Sequence, residues 1–214
     1  MLASEAGVSA STTSAHLGKL VAGGLLVVHR QGRHRYYRLS GPAVGEALEK
    51  LMRLAPAAPV RSLRQGSRAN AVRSARTCYD HLAGMLGAGL MAAMLERGLL
   101  AGGDGTFTPG DGGRDRLSAR GREHCYELTD RGRAELTAFG LDLDGLENLR
   151  RPLIRYCVDW SEQRHHLAGA LGAAIAQRTL ELGWITRARR GRAVHVTGAG
   201  RDALRETFGL QLAA

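Results

Sequence analysis

The chain has 214 residues, 44% of them hydrophobic, which is enough for one or two cores and too many for a small disulfide-stapled module. Its net charge is +10, and the excess is local: residues 1–75 hold eleven Lys and Arg against three acids, eight of the ten net charges. Such a patch favours a polyanion, nucleic acid before anionic membrane, although a plain solvated surface stays open on charge alone. Three cysteines, Cys78, Cys125 and Cys157, make no disulfide framework. Met1 leads straight into a polar helical pattern, and no apolar run approaches the ~18–20 residues of a membrane span. A cytoplasmic protein with no membrane partner is expected.

In chain order, residues 2–6 read as the end of a short helix, and Gly7-Val8-Ser9 as a tight turn. A helix is expected from about residue 10 to residue 22, capped by Ser9 or Ser11. Ala15, Leu17, Leu20 and Val21 fall on one side of it, and Thr12, Thr13, His16 and Lys19 on or near the other. Short donors and acceptors with a cation at the end suit a helix that reads base edges and phosphates in a major groove. Gly23-Gly24 stops it. Residues 25–30 read as a strand, Gln31-Gly32 as a turn, and residues 33–39 as the returning strand, with Tyr37 and Leu39 on one face and Tyr36 and Arg38 on the other. Arg30, Arg33, His34 and Arg35 crowd the hairpin tip, within reach of phosphates or a minor groove. An ordinary hairpin with solvated arginines is the competing reading.

The run GVSASTTSAHLGKLVAGGLLVVHRQGRHRYYRL resembles the ArsR-type winged-helix repressors of bacteria over about residues 1–55. The resemblance implies a homodimer that binds a palindromic operator on double-stranded DNA and leaves it when an effector binds. By position, Ser11, Thr12, Thr13, Ser14, His16 and Lys19 match the reading helix of that family, and Arg33, His34 and Arg35 match its wing, with Arg30 beside them. Two departures stand out. The family has one or two further helices ahead of the one that ends at Ala6, so an N-terminally short chain with an open apolar flank is expected. The best-known metal ligands of the family are also missing: no Cys-x-Cys lies at the reading helix, and no His/Asp pair follows the wing.

Ser40-Gly41-Pro42 opens the next helix, whose apolar stripe is Val44, Ala47, Leu48, Leu51 and Leu54. In the resembled family this helix is a dimer seam; from the stripe alone, packing on its own domain is equally open. Residues 55–59, rich in Pro and Ala, read as a hinge, and residues 56–75 as a linker or the start of a solvated helix.

An internal duplication follows. Residues 81–100 read HLAGMLGAGLMAAMLERGLL and residues 166–185 read HLAGALGAAIAQRTLELGWI. A Cys-x-Asp precedes each (Cys78 and Asp80, Cys157 and Asp159), and YELTDRGRAELTAFGLDL and VHVTGAGRDALRETFGLQL follow. The expected domains are therefore a winged helix-turn-helix over 1–55, repeat units over 76–143 and 157–214, and a connector over 144–156. Each copy parses as helix, Leu-Gly turn, helix, hairpin, then a helix opened by Thr129 or Thr197, a winged-helix-like plan. The fold class is mainly α with small β-hairpins (α+β). The reading-helix positions of the copies are apolar, so they are expected to pack rather than touch bases. Residues 102–122 read as a mobile Gly-rich insert. The basic tip of copy two, residues 187–192, suits flanking phosphates or plain solvation.

Thiol and imidazole groups recur in the duplicated region. Cys78 and His81, three apart on an expected helix, would share a face. His124 and Cys125 are adjacent, and Cys157, Asp159, His165 and His166 lie in the second copy. Cys78, His81, Cys125 and Cys157 are the metal candidates, for a soft divalent ion acting as effector. The spacings match no tight ligand signature, so buried structural cysteines and a small organic effector remain open. No Gly-rich phosphate loop, GxSxG or HExxH is present, and no enzyme is expected. The sequence thus points to a DNA-binding regulator, an operator-binding repressor released by a metal ion or small molecule. The alternatives are a protein-interaction or dimerisation module that no longer binds DNA and, more distantly, a Cys/Asp-dependent organometal lyase.

Overall fold

A computed structural model describes residues 2–32, 34–52, 63–108, 115–117, 119–189 and 191–212. The chain forms two compact units, Met1–Leu48 and Glu49–Ala214.

The first unit opens with α1 (Leu2–Ala6) and α2 (Ala10–Ala22), joined through Gly7, whose φ of +67° turns the chain. Ser9 caps α2: it is extended, and its Oγ accepts from the Thr12 amide at 3.1 Å. Gly23 ends the helix by donating to the Lys19 carbonyl at 2.8 Å, and Gly24 turns away at φ +71°. Next come β1 (Leu26–Gln31) and β2 (His34–Leu39), an antiparallel pair in register from Leu26 opposite Leu39 to Gln31 opposite His34. After β1, Gly32 takes φ +55°, the left-handed geometry that lets tightly connected strands keep their twist. Helix α3 (Pro42–Met52) follows. The sequence-based elements of this unit agree with the structure within a residue or two. Leu54 and the Pro-rich hinge lie outside the described residues.

In the second unit α4 (Leu63–Ser74) lies within the stretch read as a linker and packs against the next helix. The duplication is visible in the fold. Copy one runs β3 (Arg76–Cys78), β4 (His81–Ala83), α5 (Gly84–Glu96), β5 (Leu100–Ala101), β6 (Glu127–Leu128), α6 (Asp130–Ala138). After α7 (Leu143–Glu147), copy two repeats the order: β7 (Arg155–Val158), β8 (His165–Ala168), α8 (Gly169–Glu181), β9 (Ile185–Arg187), β10 (Val194–Val196), α9 (Gly198–Phe208). Each copy is thus hairpin, helix, hairpin, helix, and the mixture of helices with short antiparallel hairpins is α+β.

The expected helix, Leu-Gly turn and helix do not form. His81 and His166 lie in strands, not helices, and one unbroken helix follows each strand. The break sits one residue after the HLA triplet, at Gly84 (φ +73°) and Gly169 (φ +85°), where a side chain would strain the backbone. The glycine of each Leu-Gly pair lies inside the helix and acts in packing. A Cβ on Gly87 would stand 2.3 Å from the Leu82 carbonyl oxygen, and one on Gly172 2.6 Å from that of Leu167.

The copies interlock. Helix α5 packs on β8 of copy two, and α8 on β4 of copy one. Residues near each second hairpin also bind the first strand of the other copy. Thr77 donates to the Arg192 carbonyl at 2.9 Å, and Val194 to that of Ala75 at 3.0 Å. Reciprocally, Gly121 donates to the Tyr156 carbonyl at 2.8 Å, and Val158 to that of Ala119 at 2.9 Å. One core results, with Leu86, Met91, Met94, Leu99, Leu136, Leu171, Ile175, Ile185, Leu204 and Phe208 essentially inaccessible. The apolar face of α5 is buried, as its composition predicts. Among the described residues no helix is long and apolar enough to cross a membrane.

Candidate nucleic-acid interface and a buried Cys/His cluster

Helix α2 holds no buried residue, and Leu17 and Val21 are half-buried on its inner side. Ser11, Thr12, Ser14, His16 and Lys19 are exposed. The cap orders the first turn beyond its backbone: Ser9 Oγ lies 2.8 Å from both Ser11 Oγ and Thr12 Oγ1. Thr13 differs from its neighbours. It is half-buried, and its Oγ1 donates to the Ser9 carbonyl at 2.9 Å, which commits its hydroxyl to the helix itself. The outward polar row is therefore Ser11, Thr12, Ser14, His16 and Lys19. At ~1.5 Å per residue, a 13-residue helix is about 20 Å long, a length that a major groove admits.

In the hairpin, Arg30 stands directly opposite Arg35, and Gln31 opposite His34, all exposed. Like charges across a strand pair repel unless an anion lies between or beside them. On the other face Arg38 Nε donates to His29 Nε2 at 2.9 Å. Arg33 lies outside the described residues.

The second unit brings together residues far apart in sequence. Cys78 pairs across the β3–β4 hairpin with His81, and Cys157 across β7–β8 with His166. A hairpin, not a helix, therefore sets Cys78 beside His81. One ligand atom from each of Cys78, His81, Cys157 and His166 lies within 4.8 Å of all the others. Cys78 is half-buried and the other three are buried. The two imidazoles face each other at 5.2 Å between ring centres. The fourth metal candidate from the sequence, Cys125, is exposed and outside this group; His166 takes its place. The repeat carries the signal for it, since His166 aligns with His81 as Cys157 does with Cys78.

A carboxylate sits beside each histidine. Asp80 Oδ1 is 3.1 Å from His81 Nδ1, while its Oδ2 accepts from Arg151 at 2.6 Å. Asp159 Oδ2 is 3.3 Å from His166 Nδ1. Asp159 is fully buried, and it also accepts from Arg76 Nη2 at 2.7 Å, the Gly84 amide at 2.7 Å, and the Ser161 amide and hydroxyl. Burial alone would raise its pKa, but His166 and Arg76 outweigh that and hold it well below the carboxylate range. Arg76, itself 1% exposed, stacks on Trp160 at 4.6 Å. Burial alone would lower the pKa of His81; the Asp80 carboxylate and the Cys78 thiol beside it lift it to about 9. The hydrogen bond to Cys157, with burial, pushes the Cys78 thiol up. His81 Nε2 and both ring nitrogens of His166 are buried with no hydrogen-bond partner.

A second group lies where the Gly-rich insert meets copy two. Asp115 is buried, accepts from the Arg122 amide at 2.6 Å and from the Tyr156 hydroxyl at 2.7 Å, and lies 3.3 Å from His165 Nε2. His165 Nδ1 is 2.7 Å from the Tyr126 hydroxyl. Burial lowers the His165 pKa to about 4 despite the adjacent carboxylate. The described part of the insert, expected to be mobile, is thus pinned by a buried polar network and by bridges from Leu117 to Val158 and from Arg120 to Cys157. His124 completes this group and, with Asp104, Phe107 and Asp115, lines a cleft of about 400 Å³.

The chain is 36% identical over 211 residues to YdfF of Bacillus subtilis (strain 168), an uncharacterised HTH-type transcriptional regulator. The match covers 99% of this chain and 85% of that protein. No family model matches the sequence, and no solved structure matches the fold.

Proposed function

The chain belongs to the HTH-type transcriptional regulators, a family of regulators rather than enzymes, and from that premise we propose an ArsR-type operator-binding repressor. The first unit reads double-stranded DNA. The observation that carries this reading is the exposed polar row of α2 in the same small unit as a hairpin whose tip opposes Arg30 to Arg35. His16 and Ser14 contact base edges, Lys19 and the arginines contact phosphates, and Thr13 supports the helix. Arg33, matched by sequence position to the wing, joins the phosphate contacts. The repressor acts in the cytoplasm as a homodimer through α3, where Leu48 and Leu51 are exposed. An effector bound by the second unit releases it from the operator.

The test is fluorescence anisotropy of the full chain against duplexes selected from a random pool, repeated over a salt series. Tight, steeply salt-dependent binding to a palindromic consensus is expected. His16→Ala should change the selected consensus. Arg35→Ala should weaken every duplex and reduce the salt slope by about 1. A full chain that binds no duplex at low salt would overturn the reading and leave a protein-interaction module.

A further inference from the structure

We propose that Cys78, His81, Cys157 and His166 form a four-coordinate site for one zinc-class divalent metal ion, which pins the two repeat copies together. The ligand set is two thiols and two imidazoles, one of each from either copy. Tetrahedral zinc bonds of ~2.0–2.3 Å place ligand atoms ~3.3–3.8 Å apart, and the four atoms here already lie within 4.8 Å of one another. Small side-chain rotations close the remainder. A thiolate–imidazole set of this kind selects zinc, cadmium or cobalt over magnesium or calcium.

The surroundings argue for a ligand rather than for packed cysteines. A buried imidazole nitrogen without a partner is costly, and both Nε2 atoms are in that state. On the other side of each ring stands a carboxylate, Asp80 or Asp159, and each is fixed by an arginine. At His81 the hydrogen bond to Asp80 is the outer arrangement that orients a metal-binding histidine, and at His166 the Asp159 carboxylate stands 3.3 Å from Nδ1, leaving Nε2 of each ring to the ion. Arg151 also holds the Gly169 carbonyl at 2.7 Å and Asp159 holds the Gly84 amide, so each carboxylate system reaches the helix start of the opposite copy. Binding forms two metal–sulfur and two metal–nitrogen bonds. Both thiol protons, and any proton on a ligating nitrogen, pass to solvent. The site lies wholly in the second unit and stands independently of the DNA-reading proposal.

The experiment is a cobalt(II) titration of the reduced full chain under anaerobic conditions. A near-ultraviolet thiolate-to-cobalt band and intense tetrahedral visible bands should rise together, saturate at one ion per chain, and disappear when zinc displaces cobalt. Zinc should raise the melting temperature of the wild type. Cys125→Ala should leave the spectrum unchanged, while Cys157→Ser should remove the saturating spectrum. Asp80→Asn, at a positioning residue, should weaken cobalt binding by roughly 10–100-fold while preserving the thiolate band. The wild-type spectrum decides the matter even if Cys157→Ser fails to fold. No thiolate band in reduced wild type, or a band abolished by Cys125→Ala, overturns the proposal. So does a Cys78–Cys157 disulfide formed in air by a protein that takes up no cobalt when reduced, which would make these cysteines a redox pair.

Discussion

Among the described residues of the first unit, Gly45 alone is buried, and Leu2, Val8, Leu20, Leu25 and Leu48 are exposed. The second unit hides a continuous core, an arginine–aspartate pair and three histidines. The units divide the two demands on a regulator. Side chains that must meet another molecule cannot also be spent on a core, so the first unit carries its chemistry outward and is thinly held. The second turns its chemistry inward, where each buried polar group needs a partner.

The contrast can be broken by substitution, and the largest effect should come from the buried pair. Arg76→Ala leaves Asp159 charged and buried, so the second unit should lose about 3–5 kcal/mol. Both tryptophans, Trp160 and Trp184, lie in that unit, so their fluorescence in a urea titration reports it alone. Next is the same exchange made in both units. Gly87→Ala drives a methyl into the Leu82 carbonyl and should destabilise by about 1–3 kcal/mol. Gly18→Ala, with nothing within 4 Å, should instead stabilise α2 by ~0.8–1 kcal/mol, read as slower amide exchange in that helix. If both alanines destabilise alike, the first unit is packed more tightly than its exposure indicates. Ser9→Ala removes the α2 cap and should cost about 1 kcal/mol in the same exchange measurement. Smallest of all, Arg189→Ala in the tip of copy two should leave DNA affinity and its salt slope unaltered, because residues 192–194 tie that hairpin back onto copy one. A reduced slope would show that both units touch DNA.

The first unit was legible in the sequence because its signals are local: a serine cap, helical spacing and glycine stops fix α2, and the tip glycine fixes β1 and β2. The second was legible as a duplication and misread as local structure. HLAG continues smoothly into a helical pattern, and nothing in the sequence distinguishes Gly84, in the left-handed region, from Gly87, in the helix. The cluster was half legible for a related reason. Cross-strand neighbours are separated by the length of the turn, two residues between Cys78 and His81 and eight between Cys157 and His166, so spacing alone matches no signature. Comparing the copies would have paired all four. The docking of the insert was hidden altogether, because the partners of Asp115 include Tyr156 and His165, about 40–50 positions downstream, and the glycines around it argue only for a loop.

The interlocking of the copies has a consequence for the symmetry of this unit. Backbone hydrogen bonds from the second-hairpin region of each half reach the first strand of the other, and each half brings one cysteine and one histidine to the cluster. The second unit thus has the plan of a paired assembly carried on one polypeptide, and its halves need not be alike. One has a two-residue turn at its first hairpin and the long insert at its second, while the other has a longer first turn and a short second one. A symmetric assembly of identical subunits could not have become lopsided in this way.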